Sequence, residues 1–535
     1  MLMMTAFVQG CSPASQRPEP LQQGLIYCSE GNPESFNPQL VTSGTTVDAT
    51  SAQLYDRLLD YDPERQEFLP GLAKTWHALD QGTRYRFELR PNVGFHQTNW
   101  FTPTRNFNAK DVIFSFERWL DPTHPYHAIG GGRYPFFSSS GLRSLISKIE
   151  QVDDYTVDIH LRRADSSFLA NLATDFAIIL SAEYGAQLLQ QQQPEQIDRQ
   201  PVGTGPFIFE EFRKDAVVRY RRNQDYWRQA AAIEQLVFSI TPNANKRMLK
   251  LLTGECDVIP YPLVDELQQL ADTSEIKVTS AINPSVAFWA FNTERPPFNQ
   301  PLVRRALAHA INRSAIIDAI YQGNARTATG MLPETSWAYA AQESGYVYDP
   351  ELAQELLQQA GFPQGFSMDI WAMPVQRAYN PNAQRMAELI QADLARIGVQ
   401  ANIVSYEWNV FRQRLAQGEH DSVLIGWVAD NADPDNFFRP VLSCAAKQSG
   451  NNRARWCDPT FDQLLLRAIS EDKRSQRTEL YRQIEQYVFT QAPLIPIANS
   501  LRFQAQRTDV EGLTPPSYGG LDFRQARRLE QEPQQ

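Results

Sequence analysis

The stretch VLIGWVADNADPDNFF, residues 423–438, sets three aspartates directly behind an apolar run. Carboxylates at this density suit four uses: holding a metal ion, acid–base catalysis, capping a helix, or pairing with a cationic ligand. Calcium is excluded by spacing. An EF-hand needs D-x-[DN]-x-[DN]-G and a glutamate at its twelfth position, whereas from Asp430 the third residue is Ala432 and the sixth is Asp435. Paired carboxylates for glycoside hydrolysis leave an exported hydrolase as a competing reading. Asp433-Pro434 has the form of a helix cap followed by proline at the first helical position. Asp435 then falls in the first turn, where the helix dipole favours negative charge. Asp430 has neither reason to be acidic. It stands three residues beyond the expected strand end at Trp427, where a carboxylate is expected to face a crevice.

A complementary charge occurs in PVQRAYNPN (374–382), which also follows an expected strand. Its two prolines make a rigid loop, suited to holding the Arg377 fork for a carboxylate, with Tyr379 two residues on. A solvated surface position is the ordinary alternative for an arginine. Taken together, Asp430 and Arg377 describe a ligand with a free ammonium and a free carboxylate: a short peptide or an amino acid. Other chemistries find less support. No GxSxG or HExxH occurs, and GGGRYPFF lacks the Lys-Ser/Thr of a phosphate loop. His420, in the turn QGEHDS, is expected to be solvated.

The elements that must position these groups follow from periodicity. RYRFELR (84–90) and YTVDIHL (155–161) alternate as half-buried strands do, and NAKDVIFSFERWLD (108–121) reads as a helix capped by Asn108. From about residue 284 strands and helices alternate, which predicts a mainly parallel α/β sheet. Residues 301–323 read as one helix, begun by Pro301 and stopped by Gly323. In open α/β sheets ligands gather beyond the carboxyl ends of strands, where both polar loops lie. Two α/β lobes with a crevice between them are expected.

The chain has 535 residues, enough for at least two domains. Its net charge of −11 argues against nucleic acid and anionic lipid as partners. Residues 1–8 are apolar and lead through Val8-Gln9-Gly10 into Cys11, which resembles the lipobox of a bacterial lipoprotein. The run is shorter than a membrane span and lacks a positively charged start, so lipidation of Cys11 and a chance match both stay open. The residues to 24 read as a tether. Four cysteines remain, which allows three pairings in an oxidising compartment. The short spacing favours Cys444 with Cys457, leaving Cys28 with Cys256; buried free thiols are the alternative. No CxxC spacing points to zinc, and no cofactor is expected.

Several blocks carry a family resemblance. YCSEGNPESFNPQLVTSGTT (27–46), PVGTGPF (201–207), residues 370–408 and GWVADNADPDNFFRPVLSCAA (426–446) resemble the periplasmic dipeptide-binding proteins of ABC importers, within solute-binding protein family 5. WFTPTRNFNAKDVIFSF, LLTGECDV and RWCDPTFD are more similar to the Sap-type branch, linked to antimicrobial-peptide resistance. The resemblance implies a two-lobed type II binding-protein clamshell in its large three-subdomain form. Lobe I would be 25–283 plus 502–535, with an inserted subdomain, and lobe II 284–501. It implies that Asp430 pairs with a peptide ammonium and Arg377 with the terminal carboxylate. Tyr379 would line the pocket, Gly426, Trp427 and Val428 would offer backbone bonds and packing, and Thr42, Ser43 and Gly44 would approach from lobe I. It implies the same two disulfides. It also implies a periplasmic monomer that serves permease subunits in the inner membrane, with a lipid anchor left open by Cys11. A binder of haem or polyamine is the competing reading within the same class; a polyamine would leave Arg377 unused.

Overall fold

The computed structural model describes residues 24–340, 345–448 and 450–529, so Cys11 and its lipobox-like stretch lie outside the described residues. Period-two runs form strands where alternate side chains find a core. Arg84–Leu89 and Thr156–Leu161 pair antiparallel within a four-stranded sheet completed by Ala73–Leu79 and Ile146–Asp153. The helix Ala109–Leu120 covers it, started by a capping box in which Asn108 and Asp111 satisfy each other's backbone donors. This sheet has its own apolar core around Phe87, Trp119 and Phe137. A second core lies around Tyr27, Tyr220 and Phe238, and the largest around Trp289, Ile390 and Leu424. A smaller cluster around the Cys28–Cys256 bridge, with Met248, Leu251 and Ile259, adjoins them.

One twelve-stranded sheet runs through the core around Trp289 and the core around Tyr27. Its continuity depends on the strand Leu494–Arg507. The residues up to Ser500 pair antiparallel with Ser285–Phe291 and Ala325–Thr327. From Leu501 onward the same strand pairs with Ile276–Ile282 and, at Gln504–Gln506, with Val258–Pro260. The opposing strands break at Asn283-Pro284, where proline removes a ladder donor. The tail after 500 is thus part of the sheet, as its lack of a separate apolar pattern suggests.

Two expectations need correction. The sheet near the site is mixed: Ser367–Ala372 is parallel to Gln400–Val404 and Ser422–Val428, but Ser285–Phe291 is antiparallel to Ser422–Val428. Ser285–Phe291 enters this sheet straight from Ile276–Ile282 through Asn283-Pro284, without the crossover helix that a parallel neighbour needs. The single helix of 301–323 is two, Pro301–Ala310 and Arg313–Tyr321. Asn312 divides them, because its side chain accepts from the Ala315 backbone and caps the second helix.

Both disulfides form as expected. Cys28–Cys256 and Cys444–Cys457 have Cα separations of 5.8 and 4.5 Å. Cys444 and Cys457 are 13 residues apart in sequence, a loop whose closure is worth roughly 3 kcal/mol in the chain-entropy model. A Cys444→Ser/Cys457→Ser variant is therefore expected to lose about that much stability in denaturant titration, against unchanged secondary structure by circular dichroism.

Candidate functional site

The site is built on a strand that outlasts its partner. Ser422–Val428 pairs along its whole length with Ser285–Phe291. On its other side the parallel strand stops at the pair Ala372–Leu424. Ile425 to Val428 consequently have a neighbour on one side only, and the 374–382 loop departs at that edge. Gly426 is required there. A Cβ on it would lie 2.4 Å from the Tyr379 ring and 2.7 Å from the Val286 carbonyl oxygen. Tyr379 is buried, with its carbonyl accepting from Tyr321 at 2.6 Å and its hydroxyl 3.8 Å from Met373 Sδ. Trp427 donates through Nε1 to Asn436 Oδ1 at 3.1 Å, and Val428 is exposed. An unpaired strand edge is a template for an added strand.

The three aspartates behind this strand meet different fates. Asp433 caps the turn Pro434–Phe437, as expected, by accepting from the Asp435 backbone at 3.0 Å. It also does what its sequence position did not suggest. Both of its oxygens lie 2.9 Å from Arg477 Nη2, with the two residues buried and the Tyr481 hydroxyl donating at 3.3 Å. Asp435 lies in the first turn of that short helix and is paired at 2.7 Å with buried Arg439. Asp430 has no ion-pair partner among the described residues. Its backbone donates to Asn436 Oδ1 at 2.9 Å, and the Asn436 amide donates back to its carboxylate at 3.5 Å. Burial raises its pKa to about 7, and the nearby Asp175 carboxylate adds to the rise while Asn436 opposes it. Asn431, next in sequence, donates to Asn171 Oδ1 at 3.0 Å and so brings the sheet-insert core to the edge of the site.

Arg377 stands at the other end of this edge. It donates to the Gln376 carbonyl at 2.8 Å and stacks over Trp408, 5.3 Å from the ring centroid. No carboxylate pairs with it among the described residues. Tyr261, which follows the strand Val258–Pro260 in a left-handed conformation (φ 46°), lies under the Arg502 guanidinium and feels the Arg377 charge. Burial pushes the Tyr261 hydroxyl up to about 12, against the pull of Arg502 and Arg377. Thr42, Ser43 and Gly44 form the N-terminus of the helix Gly44–Leu54, where Ser43 caps by accepting from Thr46 at 3.4 Å. An added Cβ on Gly44 would meet open space. A cavity of about 160 Å³ lies beside the acidic loop, between Tyr61 and Phe68 on one side and Trp337 and Arg474 on the other.

Sequence reasoning missed Tyr261, Trp408 and Asn436. The first had a readable signal, an aromatic residue between two prolines at a strand end; Asn436 had none, because its partners come from chain folding back over six residues. His420 needs correction. It is buried rather than solvated, bonded through Nε2 to the Arg453 carbonyl at 2.7 Å, and burial lowers its pKa to about 4. Among the described residues no cluster of three or more His, Cys, Asp or Glu side chains could hold a metal ion.

The family model described as "Bacterial extracellular solute-binding proteins, family 5 Middle" matches residues 67–449. The chain is 46% identical over 499 residues to the dipeptide-binding protein of Escherichia coli (strain K12), covering 93% of each. It is 40% identical over 536 residues to the probable ABC transporter periplasmic-binding protein SapA of the same strain, covering 99% of this chain and 98% of that one. The crystal structure of the dipeptide binding protein from Pseudoalteromonas sp. SM9913 in complex with Met-Leu is similar at a TM-score of 0.89 and 50% identity, over 94% of this chain and 100% of that one.

Two outcomes follow from the aspartates. Asp433→Ala strands the buried Arg477 charge, so it is expected to cost roughly 3–5 kcal/mol in chemical denaturation, well above the ~1 kcal/mol of a lost cap. For Asp430 the sign differs. A carboxyl raised to about 7 in the fold favours the protonated form, so its contribution is fully present below the unfolded value of about 3.9 and lost as pH rises through about 7. Asp430→Asn is expected to melt above wild type near pH 8 and to lose that advantage near pH 4, as thermal scans at both values will show.

Proposed function

Because the chain belongs to the bacterial extracellular solute-binding proteins of family 5, we propose that it captures short peptides, dipeptides foremost, and delivers them to the permease subunits of an ABC importer. The observation that carries this reading is Asp430, a poorly solvated carboxylate with no cation beside it. A peptide ammonium supplies the missing charge. Arg377, at the far end of the same strand edge, receives the terminal carboxylate as a bidentate fork. Between them Gly426 to Val428 present backbone groups to the peptide main chain, which is recognised without regard to side chains. Gly426 lets Tyr379 pack against the strand, and that packing holds the Arg377 loop in place. Thr42, Ser43 and Gly44 approach from the opposite lobe. The cavity beside the acidic loop has room for a ligand side chain with water, which adapts to different side chains.

The lobes we propose are 25–283 with 502–535, and 284–501. They hinge where the sheet is thinnest, at Asn283-Pro284 and Leu501, so that closure buries the ligand's charges against their partners. On this reading the protein works in the periplasm, as the names of its SapA relatives suggest, and acts as a monomer; a lipid at Cys11 would tether it by the residues to 24.

Calorimetry with a free dipeptide and its C-terminally amidated analogue tests the reading. Truncating one side of a desolvated charge pair typically costs about 2–5 kcal/mol, on the order of thirty-fold to several thousand-fold in affinity. Asp430→Ala is expected to weaken both ligands by that factor. Arg377→Ala is expected to weaken the free dipeptide far more than the amide. Wild-type affinity in Asp430→Ala, or equal losses for both ligands in Arg377→Ala, would refute the assignment.

A further inference from the structure

The Arg377 end of the site carries more positive charge than one carboxylate requires. Arg377 and Arg412 both stack on Trp408, with guanidinium carbons 5.3 and 5.9 Å from its centroid. Arg453 is a third member, near enough to feel both the Arg412 charge and the Tyr379 hydroxyl. Among the described residues no carboxylate lies within 4.0 Å of any of these three guanidiniums. Arg377 and Arg453 donate instead to the carbonyls of Gln376 and Gly450. Other arginines close by in sequence do find acids: Arg385 pairs with Glu388, Arg414 with Glu419 and Arg455 with Glu294. Arg304 and Arg313 also bond carbonyls rather than acids, but Arg377 and Arg412 share one ring with no acid paired to either among the described residues.

Like charges gathered this way repel, and the Trp408 face offsets only part of that by cation–π attraction. Burial, with the Arg412 charge second, lowers the Arg453 guanidinium to about 10. One ligand carboxylate on Arg377 leaves two charges unanswered. The geometry points to a second anion site, formed by Arg412 and Arg453 beside Arg377, that selects ligands with a further acidic group at their carboxylate end. On the peptide reading above, on which this rests, these are peptides ending in aspartate or glutamate. The side-chain carboxylate of such a residue sits only a few bonds from the terminal one.

The experiment compares Ala-Glu with Ala-Gln, of the same shape but one charge fewer, by calorimetry on the full chain. Ala-Glu is expected to bind about tenfold tighter, between the values typical of exposed ion pairs and of charge-assisted hydrogen bonds. Arg412→Gln is expected to cancel that ratio, whatever it does to the common affinity, and Arg412→Lys to keep most of it. Glu-Ala is expected to gain nothing over Gln-Ala, because its acid lies at the ammonium end. Equal affinities for Ala-Glu and Ala-Gln would overturn the second site while leaving the peptide reading intact. Failure of wild type to bind either would remove the peptide reading and this inference with it. If inorganic phosphate raised Ala-Gln to the affinity of Ala-Glu, a free anion would fill the cluster and the selectivity would be refuted.

Discussion

A carboxylate packed where water solvates it poorly, with no cation in reach, costs free energy in every unliganded molecule. Asp430 is in that position, and the site is organised around keeping it there. Asn436 holds it by a reciprocal pair of hydrogen bonds, one of them long. Asn436 is in turn placed by the short helix that Asp433 caps. On the proposed reading a ligand ammonium neutralises that charge, so the cost of its poor solvation is recovered on binding. The same placement makes the fold less stable above neutral pH than a neutral side chain would.

Its two acidic neighbours show how close packing separates residues of one type. Asp433 and Asp435 are each matched by a buried arginine, Arg477 and Arg439. Arg439 also reaches Asp165 at 3.4 Å and the Ser140 carbonyl at 3.2 Å, across to the sheet-insert core. The paired aspartates therefore fasten the acidic loop to its surroundings. Asp430, unlike them, has no ion-pair partner among the described residues. At the opposite end of the strand edge the balance is reversed, with three arginines that pair with no acid among the described residues.

That edge exists because two strands differ in length. Ser367–Ala372 ends at Leu424, while Ser422–Val428 continues. The strand Leu494–Arg507 carries the same sheet into the core around Tyr27, so the two cores share one backbone. A break at Asn283-Pro284 leaves that strand as the more continuous of the two links. The hinge proposed above would confine movement of the cores to a bend across these few residues.

Much of this was legible in the sequence because it is local. Period-two runs, the Asn108 capping box and the Asp433-Pro434 cap depend on neighbours a few positions apart, and each element formed where its pattern placed it. The position of Asp430 and Arg377 beyond strand ends followed from the same local reading, as did the Cys444–Cys457 bridge over its short loop. The family resemblance, carried by contiguous blocks, was equally legible. What sequence could not decide were long-range partners. Asp433 is 44 residues from Arg477, and His420 is 33 from the carbonyl that buries its ring; nothing local distinguishes either from a solvated side chain. The mixed sheet and the division of residues 301–323 arose likewise from tertiary pairing and a competing side-chain cap. Chain order determines which groups are available, but desolvation and charge pairing act through space. Only the folded arrangement could decide which of three aspartates would be left without a partner.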